Sequence, residues 1–362
     1  MTFLIYCLVS FLLTILVTPM VIRLATAYKC IDLPGKRHVH KKATPRWGGI
    51  AFFIGVLPVL FIIPLDRSTI SFFAASIIML IIGIVDDRKI LPFTVKFAGM
   101  FAAATVVIFG GNAVVHDLGT YSFIGRAELG WMSIPFTYFG ILGVTNAINL
   151  LDGLNGLAAG TSLLAFLFMG IAAVHAGNMT LALLCFAYVG ALAAFLRYNF
   201  PVARIFMGDS GSLFLGFSLA VTAIQLTQNA LSPVSPMFPL LVLLLPIFDT
   251  LRVLLLRIIR HRNPFQADKS HLHYLMTRKG LSPVASVLLM WAITVIFGVV
   301  GLSLMPKTED ASLFFAVDVT LVLSLFTVRL VQRRPAFRKN RRSIYTEPQG
   351  GEQTLIAKAR IQ

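Results

Sequence analysis

Six aspartates, Asp86, Asp87, Asp152, Asp209, Asp249 and Asp268, stand at the ends of apolar stretches or in the short connections between them, drawn from five separate parts of the chain. A lone acid in such a place is ordinarily a solvated helix terminus. Six of them in nearly apolar surroundings point instead to one shared site. Asp86 and Asp87 close the stretch Gly83-Ile84-Val85-Asp86-Asp87-Arg88. Neighbouring carboxylates repel unless a cation bridges them or one keeps a proton, so a divalent metal or a substrate proton is their natural partner. The bland alternative is a helix end paired with Arg88 and Lys89.

The run from Asn146 to Leu157 sets amides three residues apart, at Asn146 and Asn149, before Asp152-Gly153-Leu154-Asn155-Gly156. Glycines let a backbone approach a ligand, and the start of the following helix favours anions. A tight interhelical turn with Asn or Asp caps explains the run equally well. Phe206-Met207-Gly208-Asp209-Ser210-Gly211-Ser212 reads as a helix start. Its amides could cradle phosphate and Asp209 could offer a hard oxygen to magnesium, while capping by Asp209 or Ser210 is the structural alternative. The connection from Arg257 to Lys279 carries several cations together with His261, His271 and His273, a set suited to a diphosphate and a nucleotide sugar. Zinc fits poorly, because His271-Leu272-His273 has no further Cys or His at ligand spacing.

These residues must be positioned by elements that live in lipid. Only 13% of the 362 residues are charged and 57% are hydrophobic, against about 25% charged in a soluble domain. Eleven apolar stretches, near 3–24, 47–65, 69–85, 94–110, 132–150, 157–175, 179–198, 212–228, 237–258, 284–305 and 312–331, are candidates to cross the bilayer. Within lipid they must be helices, which satisfy their own backbone hydrogen bonds. The expected fold is therefore an all-α polytopic membrane protein with about eleven transmembrane helices. The first stretch has no Lys or Arg before it and basic residues after it, so it reads as an uncleaved span entering from outside. Residues 1–332 form one transmembrane catalytic domain, and 333–362 a basic, disordered tail. The stretch 111–131 alternates loosely enough for a small hairpin at the outer interface.

With the N-terminus outside, 26 Lys and Arg fall on the inward side and three on the outward side, which places the C-terminus and the acidic ends in the cytoplasm. The formal charge of +16 is thereby explained by the membrane and by anionic substrates, not by nucleic acid. A transporter would need ionisable groups near the bilayer midplane, and apart from Asp249, Arg252 and Asp318 the span centres lack them. Cys7, Cys30 and Cys185 imply neither a disulfide nor a metal site.

Taken in order, the Asp-Asp-Arg span end, the Asn-x-x-Asn-x-x-Asp-Gly-x-x-Gly-Leu turn, Phe-Met-Gly-Asp-Ser-Gly-Ser and the His-Leu-His loop resemble the polyprenyl-phosphate N-acetylhexosamine-1-phosphate transferases, of the glycosyltransferase family 4 type, over roughly residues 29–280. His271-Leu272-His273-Tyr274 and the segment His38 to Gly49 resemble the branch that uses undecaprenyl phosphate and N-acetylglucosamine. Two positions depart from it: Asn155 stands where many members have Asp, and Tyr274 where that branch has His. The resemblance implies transfer of an N-acetylhexosamine 1-phosphate, foremost N-acetylglucosamine, from a UDP-sugar to polyprenyl phosphate, with release of UMP. UDP-N-acetylmuramoyl-pentapeptide or a 6-deoxy sugar is the alternative donor. It further implies magnesium, replaceable by manganese, a multi-pass protein of the bacterial cytoplasmic membrane, a site on its cytoplasmic face and a homodimer.

On this reading Asp209 ligates the metal, and Asp86, Asp87 and Asp152 complete the catalytic site. Asn149, Asn155, Arg257, His271 and His273 bind the donor, while Lys41, Lys42 and Arg46 sit near the lipid head. An aspartyl-phosphate intermediate is the competing route to direct attack by the lipid phosphate.

Overall fold

The computed structural model describes residues 2–33, 43–228, 232–261, 270–305 and 309–332. Lys41, Lys42, Asp268 and the tail 333–362 lie outside the described residues. The chain begins with α1 (Thr2–Ala27), whose exposed Leu4, Leu8, Leu12, Leu16 and Met20 recur every fourth residue on one face. Its Ser10, Thr14, Thr18 and Ala25 turn inward. Large apolar side chains outward and small ones inward is the pattern expected in lipid, where close packing rather than water exclusion joins helices.

The two-residue strands β1 (Ile31–Asp32) and β2 (Thr44–Pro45) pair antiparallel before α2 (Gly48–Val56). Next come α3 (Arg67–Lys89) and α4 (Phe93–Thr105), the latter extended by a π turn over Val106–Gly110. The predicted hairpin is present as β3 (Asp117–Tyr121) and β4 (Gly125–Glu128). Four long helices follow: α5 (Ser133–Leu151), α6 (Leu157–His175), α7 (Met179–Asn199) and α8 (Gly208–Thr227). The chain then runs through α9 (Met237–Val242), α10 (Leu244–Ile259), α11 (Leu272–Arg278), α12 (Pro283–Leu304) and α13 (Glu309–Gln332).

All eleven apolar stretches are helical, and eight helices among the described residues are long and apolar enough to cross a membrane. The second stretch is a shorter helix, Gly48–Phe61, which tightens to a 3-10 turn where Pro58 removes an amide donor. The ninth is broken between α9 and α10 at Leu243, because Pro246 cannot donate to the Val242 carbonyl. The protein is a multi-pass membrane protein built from apolar helices.

The centre of the bundle is α8, 83% buried over its most apolar window. Its neighbours come close because they meet it at small residues. A Cβ on Gly83 of α3 would lie 2.3 Å from the Ser210 Cα, one on Gly49 of α2 2.4 Å from the Gly211 nitrogen, and one on Gly216 of α8 itself 2.6 Å from the Thr145 Cα of α5. On a helix, residues i and i+4 share a face. The contacts at Gly83 and Thr145 therefore turn Asp87 and Asn149 toward the first turn of α8.

Candidate active site

The first turn of α8 collects three of the sequence-predicted residues. Asp87 sends one carboxylate oxygen to the Asp209 amide at 2.8 Å and the other to the Ser210 amide at 3.1 Å. Those amides are orphan donors of a helix N-terminus, so Asp87 caps α8 from 122 residues away. Capping by Asp209 or Ser210 themselves, the alternative read from sequence, does not occur: Met207 takes the cap position without a side-chain bond. Asn149 donates to Asp209 at 2.6 Å and to Ser212 at 2.8 Å, which fixes the Asp209 carboxylate at the helix start.

Lys96 was missed from sequence. Its ammonium lies 3.1 Å from Asp209 and also pairs with Asp86. Asp86 accepts the Leu91 amide at 2.6 Å as well, so it is buried and tied to the end of α3. The signal for Lys96 was available: one lysine inside the apolar stretch 94–110 demands a carboxylate partner.

A cavity of about 350 Å³ opens beside this turn, lined by Asp32, Arg46, Asp87, Asn149, Asp152, Asn155 and Asp209 with Asn199, Phe200, Phe206 and Tyr274. Backbone pairing sets its rim. Arg46 is bonded through its amide to Cys30, Phe206 donates to Pro45 at 2.8 Å, and Gly48 donates back to Phe206 at 3.0 Å. The Arg46 guanidinium is 3.1 Å from Asp32 and 4.0 Å from Asp87. Asn155 donates to the Pro201 carbonyl at 3.2 Å and stays exposed to the cavity wall.

Asp152 lines the cavity with no hydrogen bond to its carboxylate among the described residues. Burial pushes its carboxyl up to about 7, helped by the charges of Asp209 and Asp87 and opposed by Arg46. Four carboxylates thus face one described guanidinium across the cavity, an excess of negative charge that suits a hard divalent cation. No group of three or more His, Cys, Asp or Glu among the described residues forms a ready metal cage. Magnesium takes one or two carboxylates and completes its shell with water and substrate phosphate, so it needs no such cage.

The histidines stand behind this wall. Asp249, buried on α10, accepts from Arg252 and the Leu272 amide, both at 2.9 Å, and meets the His271 Nδ1 at 2.9 Å. The acid, named in sequence without a role, anchors α11 and orients His271. His273 is fully buried, with its Nε2 2.2 Å from where a Cβ on Gly153 would sit, so only glycine fits there. Neither His273 ring nitrogen has a hydrogen-bond partner among the described residues. Neither His271, His273 nor the buried Arg257 lines the cavity; Tyr274, next in the chain, does.

Burial drops the His273 pKa from 6.5 to about 4. A depressed value means stability present above the unfolded pKa and lost as pH falls through the folded one. Between pH 7 and pH 5 the neutral ring should cost the fold about 2 kcal/mol. His273→Gln should flatten that part of the thermal-midpoint profile; an unchanged slope would show that His273 protonates freely.

The glycosyl transferase family 4 model matches residues 69–227, the interval holding Asp86, Asp87, Lys96, Asn149, Asp152 and Asp209. A probable undecaprenyl-phosphate N-acetylglucosaminyl 1-phosphate transferase of Bacillus subtilis is 36% identical over 309 residues, 84% of this chain and 86% of that protein. A decaprenyl-phosphate N-acetylglucosaminephosphotransferase of Mycolicibacterium smegmatis is 32% identical, covering 86% of this chain and 84% of its own. An undecaprenyl-phosphate alpha-N-acetylglucosaminyl 1-phosphate transferase of Yersinia pestis is 29% identical over 78% of this chain and 80% of its own. With the motif residues gathered at one helix start and such relatives matched along most of their length, the chain belongs to glycosyl transferase family 4.

Proposed function

We propose that the protein transfers N-acetylglucosamine 1-phosphate from UDP-N-acetylglucosamine to a polyprenyl phosphate of the bacterial cytoplasmic membrane, with the cavity on the cytoplasmic side. The observation that carries this reading is the first turn of α8, where Asp209 is held by Asn149 and Lys96 at the mouth of an acidic cavity. In the reaction a lipid phosphate oxygen bonds to the phosphorus that bears the sugar, and the bond from that phosphorus to the UMP oxygen breaks. A phosphate monoester has its second pKa near 6, so at neutral pH the acceptor is mostly a dianion and needs little help from a base.

Magnesium held by Asp209 and Asp152 would neutralise the diphosphate and stabilise the UMP leaving group. Lys96 and Arg46 add fixed positive charge to the same space. Phe200, Phe206 and Tyr274 offer aromatic faces to the base or sugar, with Asn155 and Asn199 as polar contacts. Asp86 and Asp87 act on this arrangement by holding Lys96 and α8 rather than by taking a proton. His271, held by Asp249, supports α11, whose Tyr274 reaches the cavity. UMP release from a panel of UDP-sugars, with and without magnesium, tests the reading. Activity confined to UDP-N-acetylglucosamine and lost on chelation is expected; turnover without divalent metal would refute the metal assignment.

For the acceptor chain we infer the apolar groove of about 560 Å³ between α10 and α13, lined by Ile247, Leu251 and Leu255 and ending at Arg260. Filling it with Leu251→Trp should raise KM for polyprenyl phosphate about tenfold and leave KM for the UDP-sugar alone. An equal change in both constants would place the lipid elsewhere.

A further inference from the structure

The last helix, α13, touches β3 of the hairpin at one end and α11, beside the catalytic cavity, at the other, so it crosses the full thickness of the bundle. Asp310 near its start accepts the Ser122 amide of the hairpin at 3.2 Å. At 1.5 Å per residue Asp318 lies roughly 14 Å along the helix from Glu309, inside a hydrocarbon layer about 30 Å thick. Thr320, Ser324 and Thr327 form the side of α13 that lines the groove with α10. A neighbouring stripe faces outward: Phe314 is 62% exposed, Val317 47%, Leu321 58% and Val322 64%. Asp318, also exposed, sits in the middle of this stripe, four residues after Phe314 and three before Leu321. It has no hydrogen bond or ion pair with any described residue.

A carboxylate facing hydrocarbon is costly, and ionisable groups in membrane helices are found against a bundle interior, a water-filled cavity or a partner. The interior side of α13 carries Phe315, Val319 and Leu323, packed against the cluster that includes Leu245 and Phe297, and Asp318 lies outside both that side and the hydroxyl side. The cover must therefore span the membrane, be apolar over about two turns and bring a positive charge to the depth of Asp318. A second copy docked on this stripe by a twofold axis would set Asp318 near its own counterpart, like charge against like. We propose that the outward face of α13 is a docking surface for a membrane-spanning helix of another protein, one that presents a Lys or Arg to Asp318.

The test uses the full-length enzyme, acceptor-labelled, in phosphatidylcholine vesicles, with donor-labelled synthetic leucine-alanine helices of about 20 residues that differ only in a central Lys or a central Leu. Energy transfer should saturate at about tenfold less of the Lys helix than of the Leu helix. Asp318→Leu should erase that preference, and Asp318→Lys should transfer it to a helix with a central Asp. Thermal midpoints confirm that the variants fold; if they do not, the comparison of the two helices on the unaltered enzyme decides by itself. Equal binding of the Lys and Leu helices, or a Lys preference that survives Asp318→Leu, overturns the proposal. Enzyme-to-enzyme energy transfer that depends on Asp318, without a Lys preference, gives the face to a second copy and overturns it as well.

Discussion

Asp209→Asn should lower UMP release by about three orders of magnitude while the thermal midpoint moves only modestly. Asn keeps one accepting oxygen, enough for the bond from Asn149, 2.6 Å from the carboxylate, while its NH2 group takes the place of the oxygen that meets Lys96 at 3.1 Å. What goes is one negative charge in a cavity that already holds Asp32, Asp87 and Asp152. Loss of that charge relieves repulsion with those acids but also removes the ion pair with Lys96, so these oppose each other and the midpoint should move only modestly. The loss also weakens the hold on a divalent cation, so the magnesium concentration needed for half-maximal activity should rise. UMP release measured across a magnesium titration separates the two effects. Activity within tenfold of the unaltered enzyme would remove Asp209 from the chemistry.

The second large effect belongs to Asp87, and here the expectation is structural first. Asp87→Ala strips two charge-assisted bonds from the α8 amides and leaves those amides buried, at a cost of about 3 kcal/mol. The turn that carries Asp209 should loosen, so stability and activity fall together. Asp87→Asn retains one accepting oxygen and should lie between the two in both measurements. The decisive comparison is thermal midpoint against UMP release for the pair. If Asp87→Ala proved fully stable and yet inactive, Asp87 would be acting on substrate directly and the capping role would be wrong.

These two residues also mark how far a linear reading reaches. Asp209 was assigned a metal role from the small residues around it, and it does stand at a helix start facing a cavity. Asp86 and Asp87 were paired as members of one catalytic site because they are adjacent and acidic. The structure sends them in different directions, Asp86 to Lys96 and the Leu91 amide, Asp87 to the amides of α8. Successive residues on a helix point about 100° apart, so adjacency in sequence is no guide to a shared partner. His271 and His273 were grouped in the same way. One is held by Asp249 and the other is pressed against Gly153 without a polar partner.

The amino-acid sequence by itself determined the solvent, the helices and the family. Hydropathy is a sum over about 20 neighbouring residues, and lipid permits few backbone solutions, so local composition suffices for that much. The motifs around Asp87, Asn149 and Asp209 needed no three-dimensional information to be recognised. Only the tertiary structure decided which oxygen meets which amide, that Lys96 belongs to the site, and that Asp318 faces outward. Each of these depends on the rotation of one helix against another. That rotation is set by close contacts at residues such as Gly83, Gly49 and Gly216, whose partners are far away in the chain.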